Sequence, residues 1–119
     1  MRARTYDCGY ACPIDAALDV IGGRWKGTLL YQLLDGPKRN GELRRRVRGA
    51  PPRVLAQQLR ELEAAGVVTR TVSPDVPPKV EYALTPFGQA LEPLLLQIRD
   101  WGETYLDRLE AELTSEDRS

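Results

Sequence analysis

The sequence predicts a mainly α-helical single domain with one small β-hairpin and a long helix at its end. Three observations lead there. Apolar residues recur at helical spacing through most of the chain, two segments rich in β-branched residues flank a proline-rich link, and glycines and prolines fall between the periodic stretches. At 119 residues the chain suffices for one modest core and is too short for two. Its composition, 42% hydrophobic and 29% charged, is that of an ordinary soluble globular protein. No apolar run approaches the roughly 20 residues of a bilayer-spanning helix, and Met1–Asp7 lacks the hydrophobic stretch of a signal sequence. A cytoplasmic protein without a membrane partner is expected. The chain divides into an N-terminal arm with two cysteines (1–12), the folded domain (13–112) and a polar tail (113–119).

Ile14, Ala17, Leu18 and Ile21 keep the i, i+3, i+4, i+7 spacing of an amphipathic helix, with Pro13 at its first position and Gly22-Gly23 at its end. Trp25, Leu29, Leu30, Leu33 and Leu34 predict a second helix, stopped by Asp35-Gly36-Pro37. A short third helix covers 41–47, with Leu43 and Val47 inward and Arg44, Arg45, Arg46 and Arg48 mostly outward. Gly49 closes it, and Pro51-Pro52 opens a fourth helix that buries Leu55, Leu59 and Leu62 and ends at Gly66. Residues 67–72 and 80–84 read as paired strands, joined by a link containing three prolines. Thr85 is a natural N-cap and Pro86 a first helical residue for the last helix. There Leu91, Leu94, Leu95, Ile98, Trp101, Tyr105 and Leu109 keep near-heptad spacing, and Pro93 predicts an early kink.

The formal net charge is zero, yet the charges are segregated. Between Lys38 and Arg60 stand eight basic residues and one acidic residue; between Gln89 and Ser119 stand three basic and eight acidic residues. The two ends face different partners. Helix, short basic helix, turn, helix, then a hairpin is the order of a winged helix-turn-helix, and double-stranded DNA is the partner that fits it. In that arrangement the fourth helix enters the major groove, the short helix lies across the backbone, and the hairpin tip approaches the minor groove or neighbouring phosphates. Arg44 and Arg45, with Arg46 and Arg48, would neutralise phosphates without reading sequence. Arg53, Gln57 and Arg60, with Ala56 beside them, would face the base edges, each bidentate contact worth roughly 1–3 kcal/mol of discrimination. Lys79 would grip from the wing, and Arg24 or Lys26 would approach DNA from the turn between the first two helices.

These residues resemble the HxlR-type winged-helix transcriptional regulators of bacteria. The resemblance is carried by Cys12-Pro13 with Ala17–Lys26, by Leu34–Arg39, by Glu42–Arg45, by Leu55 with Gln58–Glu63, and most specifically by Pro74–Tyr82 and Leu84-Thr85. It covers about three quarters of the chain. It implies a homodimer joined through the first and last helices and bound to an inverted-repeat operator; repression is the expected mode, and activation stays open because it depends on where the operator lies relative to a promoter. Ile14, Leu18, Leu91, Leu94, Leu95, Ile98, Trp101 and Tyr105 then become the expected interface. Asn40 where relatives usually have phenylalanine, Pro51 where they have serine, and Ala56 where threonine is common depart from the pattern and bear on the operator sequence.

Cys8 and Cys12 are the only cysteines. Several members of the family sense oxidants or electrophiles through a cysteine in this region, and Cys12 takes the place before the proline. A thiol at a helix N-cap meets unpaired backbone N–H groups and the positive end of the helix dipole, a setting that favours the thiolate; Asp15, one turn on, opposes it. Cys8 is a candidate resolving partner, and two passive thiols are the alternative. No metal is expected: one chain offers two thiolates and no histidine, and their spacing is looser than a zinc knuckle.

No cofactor and no catalytic residues are expected, since no nucleophile has an evident base and the chain contains no histidine. Two other readings stay open. One is a regulator gated by a small molecule without a redox role, for which Trp25, Trp101, Tyr82 and Tyr105 are candidate pocket residues. The other is a winged-helix module that binds protein, which would lack the steep salt dependence of DNA binding.

Overall fold

The computed structural model describes residues 9–117. Its elements are α1 (Pro13–Ile21), α2 (Lys26–Leu33), β1 (Lys38–Arg39), α3 (Asn40–Arg46), α4 (Pro52–Ala64), β2 (Val68–Val72), β3 (Val80–Leu84), α5 (Pro86–Gln89) and α6 (Glu92–Asp117). The predicted winged helix-turn-helix is present, with a three-stranded antiparallel sheet in the order β1-β3-β2. Val68 pairs with Leu84 and Val72 with Val80 across the wing. The third strand is an addition: Lys38 and Arg39 pair with Tyr82 and Glu81, and a two-residue strand has no periodicity for a sequence to display.

The core gathers Leu29, Leu30 and Leu33 of α2, Leu43 and Val47 around α3, and Leu55, Leu59 and Leu62 of α4, under Val67, Val68 and Tyr82. Burying each such leucine contributes roughly 1.5–3 kcal/mol, and together they fix the roll of α4 about its own axis. The end of α4 is set by Gly66, whose φ of +79° suits a residue without Cβ. There the Gly66 N–H donates to the Glu63 carbonyl at 3.0 Å and the Val67 N–H to the Leu62 carbonyl at 3.2 Å, satisfying carbonyls that the helix leaves open.

The last helical region departs from expectation. Instead of one kinked helix, α5 stops at Gln89 and α6 starts afresh at Glu92, so Pro93 sits in a first turn, where its missing N–H costs nothing. Thr85 is the N-cap of α5 as expected: its hydroxyl accepts from Gly88 N–H at 2.9 Å and donates to the Gly66 carbonyl at 2.6 Å. Gly88 allows α5 to press on the chain before the wing, since a Cβ there would lie 2.0 Å from the Val67 carbonyl oxygen.

Of the expected interface residues, Leu95 is taken up by the core of the monomer and Leu91 is partly so. Leu95 is 5% exposed within the core, and Leu91 packs against that core, because the first turns of α6 lie on α2. Beyond them α6 leaves the body. Leu94, Ile98, Trp101, Tyr105, Leu106, Leu109 and Leu113 are exposed, as are Ile14 and Leu18 of α1. The projecting helix gives a radius of gyration of 17.6 Å, against about 13–14 Å for a compact chain of this length.

Candidate nucleic-acid interface

The link from α3 to α4 sets the geometry of the basic surface. Gly49 takes φ +89°, and Pro51 is extended before Pro52 begins α4. With Leu55, Leu59 and Leu62 buried, Arg53, Gln57 and Arg60 are left on the outer face and Ala56 half-buried beside them. Arg60 Nη2 donates to Gln57 Oε1 at 2.7 Å, which joins two of the predicted base-reading side chains. No side chain caps the first turn of α4, so its leading N–H groups remain open to an incoming acceptor.

The arginine run divides by use. Arg44, Arg45 and Arg48 are exposed, and no hydrogen bond or ion pair engages their side chains among the described residues. Arg46 turns back to the body, its Nη1 3.4 Å from Gln32 Oε1 and 3.9 Å from Asp35 Oδ2. Lys38 is buried: its Nζ lies 2.5 Å from Asp35 Oδ1 and donates to the Gly36 carbonyl at 3.0 Å. The hydrogen bond from Lys38 holds the Asp35 carboxyl below its ordinary value of 3.8; desolvation opposes it, and the charges of Lys38 and Arg46 add to the lowering. Part of the positive block is therefore structural, locking β1 to the end of α2.

The turn between α1 and α2 corrects another expectation. Lys26 is largely buried, with a side chain 15% exposed, 3.6 Å from Glu61 of α4, and it donates to the Asp19 carbonyl at 3.2 Å. It ties α1 and α4 to α2 and is not a free cation for DNA. Arg24 is exposed, but its guanidinium lies 5.0 Å from the centre of the Trp25 ring and borders a groove against α6.

At the wing, Ser73 closes the link. Its N–H donates to the Lys79 carbonyl at 2.9 Å, and its hydroxyl accepts from the N–H groups of Lys79 at 3.1 Å and Asp75 at 3.4 Å. Lys79 is exposed beside this tie, as is Arg70 on β2. Reading the sequence did not single out Ser73 or the Asp35–Lys38 pair. A serine opening a proline-rich turn and an acid three residues before a lysine were the signals available.

Cys12 is the N-cap of α1, a half-buried free thiol that makes no capping hydrogen bond. Cys8 lies outside the described residues. The four aromatic candidates for a pocket do not converge: Tyr82 is buried in the sheet, Trp25 packs against the core, and Trp101 and Tyr105 stack 5.6 Å apart on the outside of α6.

A profile of the HxlR-like helix-turn-helix family matches residues 20–110. The chain belongs to that family. The HTH-type transcriptional regulator YdeP of Bacillus subtilis strain 168 is 53% identical over 110 residues, 90% of this chain and 86% of that protein. A solved structure of the redox regulator HypR in its oxidised form is 56% identical, covering 78% of this chain and 96% of its own, with a TM-score of 0.75. HypR in its reduced form is 54% identical, covering 84% and 99%, with a TM-score of 0.79. The chain is accordingly a transcriptional regulator of helix-turn-helix type, and no described helix is long and apolar enough to cross a membrane.

Proposed function

We propose that this family member binds an inverted-repeat operator as a homodimer and represses transcription, and that modification of Cys12 releases it. One observation carries the DNA half. The paired Arg60 and Gln57, with Arg53, stand on the outer face of α4, while uncommitted arginines flank that helix from α3 and the α3–α4 link. Phosphates would engage Arg44, Arg45, Arg48 and Lys79, and one would supply the acceptor that Pro51 cannot give α4.

The dimer is supported by the exposed apolar faces of α1 and α6. Ile14 and Leu18 on one, and Leu94, Ile98, Trp101, Tyr105 and Leu109 on the other, are large apolar side chains left exposed, as a partner surface would have them. Covering them with a second copy fixes the separation of the two α4 helices, which an operator requires to be about 34 Å or a multiple of it. The redox step is supported by the thiol position at the start of α1 and by the likeness to HypR, a regulator named for redox control. A disulfide or adduct at Cys12 would displace α1 within the dimer face and change that separation.

Fluorescence anisotropy on DNA from upstream of the protein's own gene tests this reading, with reduced and diamide-treated protein at two salt concentrations. Sequence-selective binding that weakens on oxidation in the wild type and persists in Cys12→Ser is the expected result. Equal loss in Cys12→Ser overturns the thiol step. Absence of binding to this DNA and to a genomic fragment library overturns the operator reading and favours a protein-binding module.

A further inference from the structure

We infer that the groove between α2 and α6 is a binding site for a small aromatic carboxylate. The groove has a volume of about 350 Å³, within the usual range for small-molecule sites. Ile21 and Leu95 supply an apolar floor, while Gly23 and Gly27 place no side chain in it. Such a floor selects a flat apolar ring over a sugar or a free amino acid.

Two guanidinium groups border the same groove, and they differ in what already holds them. Arg99 Nη1 donates to the Tyr31 hydroxyl at 3.2 Å and its Nη2 to Asp100 at 2.9 Å, so much of its charge is answered within the fold. Arg24 rests on Trp25 and has no hydrogen bond or ion pair among the described residues. An uncommitted guanidinium beside an apolar cavity calls for a planar anion, because it offers two parallel N–H donors at the spacing of a carboxylate. Thr28 lines the same groove, and its hydroxyl makes no hydrogen bond among the described residues.

The place of the groove gives it a regulatory use, and this part rests on the dimeric operator-binding reading. One wall belongs to the helix-turn-helix core and the other to α6, which would carry the partner. An occupant touches both and changes the angle between them, hence the spacing of the two α4 helices.

The test uses the full chain labelled with nitrogen-15, titrated with benzoate and separately with benzyl alcohol, its neutral counterpart. Benzoate should shift the amides of Gly23, Gly27 and Thr28 saturably, and benzyl alcohol should bind about ten- to a hundredfold more weakly, the range for losing a charged hydrogen bond. Arg24→Gln, checked for an unchanged melting temperature, should reduce benzoate to the level of the alcohol. Equal binding of the two probes overturns the site, as does the absence of saturable shifts at millimolar benzoate; a groove filled by the partner's α6 would give that blank. No DNA enters this measurement, so a failed site and a failed operator reading are distinguished. Operator affinity measured with and without benzoate then tests the regulation: a change of about fivefold or more supports it and none overturns it.

Discussion

Replacing Arg44 and Arg45 together by glutamine should flatten the salt dependence of operator binding without altering the fold. Neither side chain has an intramolecular partner among the described residues, and both stand on the exposed face of α3, away from the buried Leu43. With Arg48 and Lys79 they supply the phosphate-facing cations, about eight phosphate contacts in a dimer. About eight contacts give a slope of log K against log salt near −7, a loss of about 10⁴ between 50 and 200 mM. Removing four of the eight brings the slope to about −4 and the loss to about 10². The contrasting variant is Lys26→Gln, whose lysine is held by Glu61 and the Asp19 carbonyl. It should leave the slope unchanged. Anisotropy titrations of one labelled operator at four salt concentrations measure all three proteins. An unchanged slope in the double variant, or a fall in Lys26→Gln as large as in the double variant, would refute the division of the basic residues into free and structural.

Four further outcomes are expected. Gly88→Ala should lower stability by about 1–3 kcal/mol in urea denaturation, because its Cβ would be forced onto the Val67 carbonyl. Thr85→Ala should cost about 1 kcal/mol, read by the same method, through loss of the α5 cap. The Asp35 carboxyl titrates lower in the folded than in the unfolded chain, so its contribution is full above 3.8 and is lost as pH falls through the folded value. Asp35→Asn should therefore flatten the acid limb of a melting-temperature profile and leave its alkaline limb alone. Trp101→Glu places a charge in the exposed stripe of α6; sedimentation velocity should show a monomer, and binding to a two-half-site operator should fall far more than binding to a half-site.

Much of the architecture was legible because it rests on local physics. The leucines of α2 and α4 declared their buried faces by spacing, Gly66 declared a left-handed helix end, and Thr85-Pro86 declared a helix start. The same register exposed Arg53, Gln57 and Arg60, so the outer face of α4 followed from the pattern that buried its inner one. Pro93 misled because a proline inside a periodic run and a proline at a new first turn look alike until the break at residues 90 and 91 is seen. β1 was missed because its strand pairing comes from Glu81 and Tyr82 of β3, far away in the chain.

By itself the sequence determined, to within a residue or so, where the first four helices and the two wing strands begin and end, which leucines form the core, and that positive charge gathers around the helix-turn-helix, since periodicity, capping and composition act over a few residues. Only the tertiary structure decided which charges are free. Lys38 and Arg46 converge on Asp35, and Lys26 on Glu61, through contacts that depend on how separate elements pack. Packing likewise divided the stripe of α6, drawing Leu95 into the core against α2 and leaving Trp101 and Tyr105 outside. A heptad shows that a face is apolar; what covers that face depends on the distance between elements, and that distance is set by the whole fold.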